Sequence, residues 1–131
     1  MTQHLSRAAW NERCRDIEAR PFPVSMAAMV DDATARWGER PALIFIGDET
    51  LSFEGLRRRV NRVANMLRAR GVKRGDRVAL MAPNLPAVPV VWLALAKLGA
   101  AIVWINMRYT SSELSYVLDD ARPGHLLIHS V

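Results

Sequence analysis

Cysteine is nearly absent from this sequence, because Cys14 is the only one among 131 residues. A lone cysteine cannot form a disulfide within the chain, and small secreted domains commonly depend on such bridges. The sequence also opens without a charged segment followed by an apolar leader and a small-residue cleavage site. These absences predict a reducing, cytoplasmic setting and an unreactive Cys14 thiol.

A glycine-rich phosphate loop is missing as well. Such loops need closely spaced glycines so that backbone N–H groups can approach the phosphate oxygens. The stretch from Gly71 to Gly75 is the nearest candidate, but it precedes a predicted strand instead of joining a strand to a helix. The seven glycines are scattered at turns and predicted helix ends, at positions 38, 47, 55, 71, 75, 99 and 124. The sequence therefore predicts no phosphate-binding loop in this chain.

Histidine is scarce, and the spacing of a metal site is missing with it. His125 and His129 lie four residues apart at the end of the chain. No third ligand stands at a recognisable spacing from them, and catalytic zinc sites need at least three protein ligands. We expect no metal site in this chain.

No apolar run is long and uninterrupted enough for a membrane span. The longest, residues 88–105, has Pro89 near its start and Lys97 and Gly99 in its second half. A spanning helix needs about 20 predominantly apolar residues, and a central lysine costs about 3 kcal/mol on insertion scales. The run predicts instead a buried helix that stops at a glycine and leads into a strand.

Acidic residues are too few to balance the basic ones, which leaves a net charge of +5 carried by sixteen arginines and two lysines. An apolar stripe recurs at helical spacing among these arginines, so a solvated outer helix face explains most of them. No aromatic residue interleaves with them to stack on bases, and we expect no nucleic-acid partner. A basic nucleic-acid binder stays open as an alternative, which salt-dependent affinity would reveal. The stripe comprises Leu56, Val60, Val63, Ala64 and Leu67, and the basic residues are Arg57, Arg58, Arg59, Arg62, Arg68, Arg70, Lys73, Arg74 and Arg77.

The residues that are present first predict two helices separated by a linker. Leu5, Trp10 and Ile17 indicate an amphipathic helix within the first twenty residues, and prolines at 21 and 23 mark the linker. Ser25 is a suitable N-cap for the second helix, and Gly38 a suitable stop. The inner face of the second helix is predicted to comprise Met26, Met29, Val30, Ala33 and Trp37.

A β-hairpin and a third helix are predicted next. Short apolar or β-branched runs at 42–46 and 50–53 surround a Gly-Asp turn. Ser52 is placed to cap the basic helix, which runs to about Arg70 and ends at Gly71. Gly55 stands where a capping box would have Glu or Gln, so this helix start should be weaker.

The remaining sequence alternates between strands and helices. Strands are predicted at 77–81, 100–105 and 125–129, and helices at 86–98 and 111–120. The strands near 78–81 and 101–105 are almost continuously apolar, which predicts cover on both faces within a parallel sheet. Ligands would approach the carboxyl ends of these strands, near residues 82–84 and 106–108. The predicted fold class is α/β, with a β-hairpin and a βαβαβ parallel unit flanked by helices.

Several short sequence fragments follow one another between about residue 41 and the end of the sequence, and together they resemble a known family. They are LSFEGL at 51–56, VNRVAN at 60–65, GDRVAL at 75–80, PN at 83–84, KLGA at 97–100, IN at 105–106, EL at 113–114 and YVLDD at 116–120. In this order and at these separations they resemble the N-terminal region of acyl-CoA synthetases. These enzymes belong to the adenylate-forming superfamily, together with luciferases and peptide-synthetase adenylation domains.

The resemblance implies a two-step ligase reaction. A carboxylate attacks the α-phosphorus of MgATP to give an acyl-adenylate and pyrophosphate, and the thiol of coenzyme A then displaces AMP. In the family, the phosphate loop, the adenine and magnesium motifs and the catalytic lysine all lie downstream of the matched region. The resemblance thus implies ATP, Mg²⁺ and coenzyme A for a longer enzyme, and no cofactor, catalytic residue or metal ligand within this chain.

One loop is the exception. In some relatives the segment after the strand at 102–105 lies near the nucleotide portion of coenzyme A. By resemblance, Met107, Arg108 and Tyr109 are the candidate cofactor-binding residues, with a surface arginine as the alternative role for Arg108.

The expected organisation is a helix and proline-rich linker at 1–24, followed at 25–131 by a truncated N-terminal portion of the AMP-binding large domain. The fold would be incomplete relative to the full synthetase, and the chain alone should not form adenylate. The expected partners are the missing remainder of the enzyme and, through exposed apolar surface, other copies of the chain. The alternative is a stand-alone binding or interaction module on the same scaffold. Fatty, aromatic and short carboxylates all remain open as substrates.

Overall fold

The computed structural model describes residues 6–21 and 23–129. Helix α1 spans Arg7–Glu18 and helix α2 spans Met26–Trp37. The Ser25 side chain accepts a hydrogen bond from the backbone N–H of Ala28 at 3.1 Å, and Gly38 ends the helix. Both predicted ends of α2 are therefore confirmed. Leu5 and Phe22, which the sequence places in the first helix and the linker, lie outside the described residues.

The hairpin and the helix after it form as predicted. Strand β1 covers Pro41–Ile44 and pairs antiparallel with strand β2, Thr50–Ser52. Helix α3 follows directly over Phe53–Ala69, and Ser52 caps it by accepting a hydrogen bond from the N–H of Gly55 at 3.1 Å. Because β2, the Ser52 cap and α3 are contiguous in sequence, the hairpin is held at the N-terminal end of α3.

The second half forms the predicted βαβαβ unit. Its elements are β3 (Arg77–Met81), α4 (Ala87–Leu98), β4 (Ala101–Ile105), α5 (Ser111–Ala121) and β5 (His125–Ile128). The strands are parallel in the order β4-β3-β5, so β3 is central and the other two are outer strands. No observed bound differs from the predicted one by more than one residue.

The core lies where α3 and α4 pack against each other and over β3. Leu67, Val78 and Leu95 are almost completely buried there. Four of the five residues in the predicted stripe of α3 are buried, and the fifth, Val63, packs against the cluster. The arginines consequently occupy the outer face of the helix, as the sequence indicates.

The expectation that β4 is covered on both faces is wrong for the described residues. Val78, Ala79 and Leu80 of the central strand β3 are buried, but Trp104 of β4 is 52% exposed. The next residue, Ile105, is buried, and successive side chains of a strand point to opposite faces, so the face of β4 with Ile105 is covered there and the face with Trp104 is not. Apolar composition alone therefore overestimated the burial of β4.

The predicted inner face of α2 is also only partly correct. Val30 is buried and Met26 packs on the core, whereas Met29 and Trp37 are 41% and 44% exposed. The Trp37 ring instead contacts Phe53 at a centroid distance of 5.3 Å. α2 lies across α3 and α4 along a narrow stripe, so side chains at the margins of that stripe stay in contact with water.

Among the described residues, every helix is too short or too polar to cross a membrane.

Candidate functional site

The loop that follows β4 is built by Asn106. Its Oδ1 accepts a hydrogen bond from the backbone N–H of Arg108 at 2.9 Å, and its carbonyl accepts one from the N–H of Tyr109 at 3.2 Å. Asparagine favours this kind of turn because its short side chain can bond to the backbone two residues ahead. The turn presents Met107, Arg108 and Tyr109 in succession just beyond the carboxyl end of the strand.

A capping box fixes the far side of the loop. The Thr110 side chain accepts a hydrogen bond from the N–H of Glu113, and a Glu113 carboxylate oxygen accepts from the N–H of Thr110 at 2.7 Å. The backbone and hydroxyl hydrogen bonds from Thr110 hold the pKa of Glu113 below its usual value. The sequence pattern Thr-x-x-Glu could have revealed this box, which was not among the features predicted.

A shallow cavity of about 420 Å³ opens beside this capping box. Tyr109 contributes one wall, and Tyr116 lies one helical turn beyond Glu113 on another. Tyr109, one of the three predicted site residues, thus lines the same cavity as a second aromatic residue, Tyr116. Met107 and Arg108 do not line the cavity and stay on the exposed outside of the loop. The lining residues are Tyr109, Ser112, Glu113, Tyr116 and Val117.

A larger cavity of about 630 Å³ lies between the hairpin turn, α3 and the start of α4. Its apolar wall includes Leu85 and Val90, and four charged residues contribute to it: Asp48, Glu49, Arg59 and Arg62. Two nitrogens of Arg59 donate to the two carboxylate oxygens of Glu49, both at 2.7 Å. These hydrogen bonds to Glu49 raise the pKa of Arg59 above its usual value. No sequence signal points to this cavity, because three separate elements form it.

Comparison with known sequences decides the family. Residues 30–131 match the AMP-binding enzyme family. The chain belongs to that family. The resemblance found in the sequence from about residue 41 onward is therefore confirmed, and the match also includes residues 30–37 of α2.

Individual relatives agree with this assignment. The chain is 36% identical over 111 residues to a crotonobetaine/carnitine–CoA ligase of Salmonella enteritidis, which covers 82% of the chain and 21% of the relative. The N-terminal subdomain of Klebsiella oxytoca NpsA superposes with a TM-score of 0.77 at 26% identity, over 82% of the chain and 28% of that subdomain. An inhibitor-bound N-terminal domain of FACL13 from Mycobacterium tuberculosis gives 0.76 at 28% identity, over 79% and 26%.

These similarities identify the fold as that of the N-terminal subdomain of adenylate-forming enzymes. They also show that the chain spans about a fifth of the length of the curated relatives that it matches.

Members of this AMP-binding family that form acyl-CoA use ATP and Mg²⁺, and the described residues do not fit either group. They contain no cluster of three or more His, Cys, Asp or Glu side chains that could hold a metal ion. His125 lies 3.7 Å from the Asp76 carboxylate, a pair without a third ligand. The loops after β3 and β4 contain no glycine, so neither provides the close backbone approach that a phosphate needs.

Proposed function

We propose that this chain is the supporting N-terminal part of an AMP-forming acyl-CoA ligase. Such an enzyme converts a carboxylate, ATP and coenzyme A into acyl-CoA, AMP and pyrophosphate through an acyl-adenylate. The observation that carries the proposal is the family match over residues 30–131. The superposition on N-terminal subdomains of the same family supports it. Residues 25–131 form the part of the large domain proposed here, and residues 1–24 precede it.

The residues at the carboxyl edge of the sheet support a positioning role for this chain. Adenylate formation needs preorganised positive charge at the α-phosphate, and this is the main source of its rate. The carboxyl edge of β4-β3-β5 offers neither a glycine loop nor a metal cluster among residues 6–21 and 23–129. The chain therefore positions other parts of the enzyme, and the phosphate chemistry takes place on those parts.

Exposed apolar side chains on the outer strands support a role within a larger enzyme. Trp104, Leu126 and Ile128 are 52%, 46% and 61% exposed. Large apolar groups on outer strands are unusual on an isolated domain, because unpaired strand edges invite association. We assign these strands as the surface that the rest of the ligase covers, and as a site of self-association when the chain is alone.

The loop after β4 is proposed to contact coenzyme A. The exposed Arg108 guanidinium is suited to the phosphates of its nucleotide, since arginine donates in a planar fork. Tyr109 and Tyr116 are suited to the flat adenine ring, because aromatic faces stack on bases. Met107 extends the apolar surface of the same loop and is 39% exposed.

Pyrophosphate exchange tests the main proposal. The purified chain, given ATP, Mg²⁺ and a panel of fatty, aromatic and short carboxylic acids, should not exchange labelled pyrophosphate into ATP. A crotonobetaine/carnitine–CoA ligase assayed with its own acid is the positive control. Exchange catalysed by the 131-residue chain itself would show that the phosphate apparatus is inside it and would overturn the proposal.

The loop assignment has its own test in the complete ligase. Arg108→Ala and Tyr109→Ala should each raise the KM for coenzyme A severalfold and leave pyrophosphate exchange, which precedes coenzyme A binding, unchanged. Arg58→Ala, an exposed arginine on the outer face of α3, is the matched control. An unchanged KM in both loop variants would remove the loop from the coenzyme A site.

A further inference from the structure

Helix α1 stands apart from the family fold. It covers Arg7–Glu18, lies outside the matched residues 30–131, and has no buried residue. A 12-residue helix is marginal in water on its own, because the first turn fixes many dihedrals for one hydrogen bond. A helix of this length therefore needs a surface to pack on, and within the described residues the rest of the chain buries none of its side chains.

One face of α1 is apolar. Trp10, Cys14 and Ile17 follow one another at spacings of four and three residues, which places them on a single stripe. Trp10 is 58% exposed and Ile17 is 61% exposed. Ile17 also borders an open groove lined by Met29 and Trp37 of α2, so the apolar surface continues beyond the helix.

The charged residues beside this stripe indicate which kind of partner would pack on it. α1 has three arginines and three acidic residues, so it carries no net charge for an anionic membrane or a nucleic acid. Arg7 and Glu18 are eleven residues apart, about three turns, and differ by only about 20° around the helix axis. They therefore lie on the same flank of the stripe, one at each end.

This arrangement is complementary to itself in one orientation only. When two identical helices pack antiparallel about a two-fold axis, residues on the same flank and equally far from the centre meet each other. Arg7 of each copy then faces Glu18 of the second copy, which gives two ion pairs. In a parallel two-fold pair the same flanks of the two helices lie on opposite sides of the interface, so Arg7 and Glu18 would meet neither each other nor their own counterparts. On the other flank Arg13 approaches its own counterpart, which opposes the pairing by like charge.

We propose that α1 is a self-association helix that packs antiparallel against α1 of a second copy of this chain. Trp10, Cys14 and Ile17 form the apolar seam, and the reciprocal Arg7 and Glu18 pairs set the direction. Two 12-residue helices bury less than the ~1,200 Å² of a standard interface, so the contact is weak and in exchange. It is separate from the outer strands of the sheet.

Charge reversal tests the direction of packing. Arg7→Glu and Glu18→Arg each replace two attractive pairs by two repulsive ones, and each should raise the dimer dissociation constant about tenfold. The double variant Arg7→Glu/Glu18→Arg restores both pairs and should return the constant to that of the unchanged chain. Both single changes favour the helix dipole, so a weaker dimer cannot be attributed to a less stable helix. Arg15→Glu makes the same charge change on the opposite side of α1 and is the matched control.

Sedimentation equilibrium of the 131-residue chain, up to about 1 mM, gives the readout, since an association of only about 4 kcal/mol is half-populated there. Arg13→Ala should tighten the dimer by removing the repulsion. A chain that stays monomeric throughout would overturn the proposal. So would a dimer that Arg7→Glu leaves unchanged or that the double variant does not restore, because association through the sheet edges would behave in that way.

Discussion

Gly99 is the position where a single methyl group should most clearly disturb the βαβαβ unit. It ends α4 in the left-handed region, with φ 73° and ψ 23°. Its carbonyl accepts a hydrogen bond from Gly75 at 2.9 Å, and Ala100 donates to Leu95 at 3.0 Å across the same turn. These bonds hold the end of α4 and the start of β4 beside the loop before β3. Gly99→Ala therefore tests whether the turn sets the strand register.

The expected cost can be worked out from two opposing effects. Alanine in the left-handed region costs about 1–2 kcal/mol. The loss of backbone freedom in the unfolded chain returns about 0.4–1 kcal/mol. A Cβ at this position would also lie 3.0 Å from Cγ of Arg74, a flexible side chain that can move aside at small cost. The net loss should be about 1 kcal/mol, or about 4 °C in Tm for a domain of this size.

Two other glycines separate these effects in a urea titration followed by tryptophan fluorescence. Gly124→Ala is the control that keeps only the gain of about 0.4–1 kcal/mol from the unfolded chain, because no left-handed φ is recorded there and nothing lies within 4 Å of the added Cβ. Gly71→Ala, at φ +94° and also with nothing within 4 Å of the added Cβ, measures the effect of the left-handed backbone without a side-chain contact. Gly99→Ala in an Arg74→Ala background measures the contact. If Gly99→Ala and Gly124→Ala change the free energy of unfolding equally, the reasoning about this turn is wrong.

Three further predictions concern the core and the second capping site. Leu67→Ala should lower the free energy of unfolding by about 2–5 kcal/mol, because it leaves a cavity at the α3–α4 interface. Met66→Ala, at the neighbouring half-exposed position, should cost well under about 1 kcal/mol. Urea unfolding measures both. Thr110→Ala should cost about 1 kcal/mol through loss of the α5 N-cap, with a lower thermal midpoint as the readout. The lowered pKa of Glu113 means that its contribution is complete above the ordinary pKa of glutamate and is lost as the pH falls through the lowered value. Glu113→Gln should therefore flatten the acid side of the stability profile, and an unchanged profile would argue against the capping box.

Features encoded by neighbouring residues could be predicted from the sequence. The N-caps at Ser25 and Ser52 and the stop at Gly99 each depend on a side chain and a backbone group within four residues. The stripe of α3 depends on helical periodicity alone. The strand and helix bounds of the βαβαβ unit were correct to one residue for the same reason. The ordered fragments added the family, which no single local pattern encodes.

Features that depend on distant residues could not be predicted. The larger cavity exists because the hairpin turn approaches α3 and α4, and its Glu49–Arg59 pair joins residues ten apart in different elements. The placement of Tyr109 and Tyr116 around one cavity likewise depends on the direction in which α5 leaves the loop. No spacing rule gives that direction.

The misjudged burial of β4 is informative in itself. The composition of a strand reflects the environment in which it has to be stable, and the apolar composition of β4 is typical of a strand covered on both faces. In the described chain Trp104 is half exposed, and Leu126 and Ile128 on the opposite outer strand are exposed as well. Side chains of this size gain about 25 cal/mol for each Å² removed from water, so leaving them uncovered forgoes stability that their composition is suited to provide. The mismatch between pattern and exposure thus supports the proposal that the outer strands are covered by further parts of a ligase, of whose curated relatives this chain spans about a fifth.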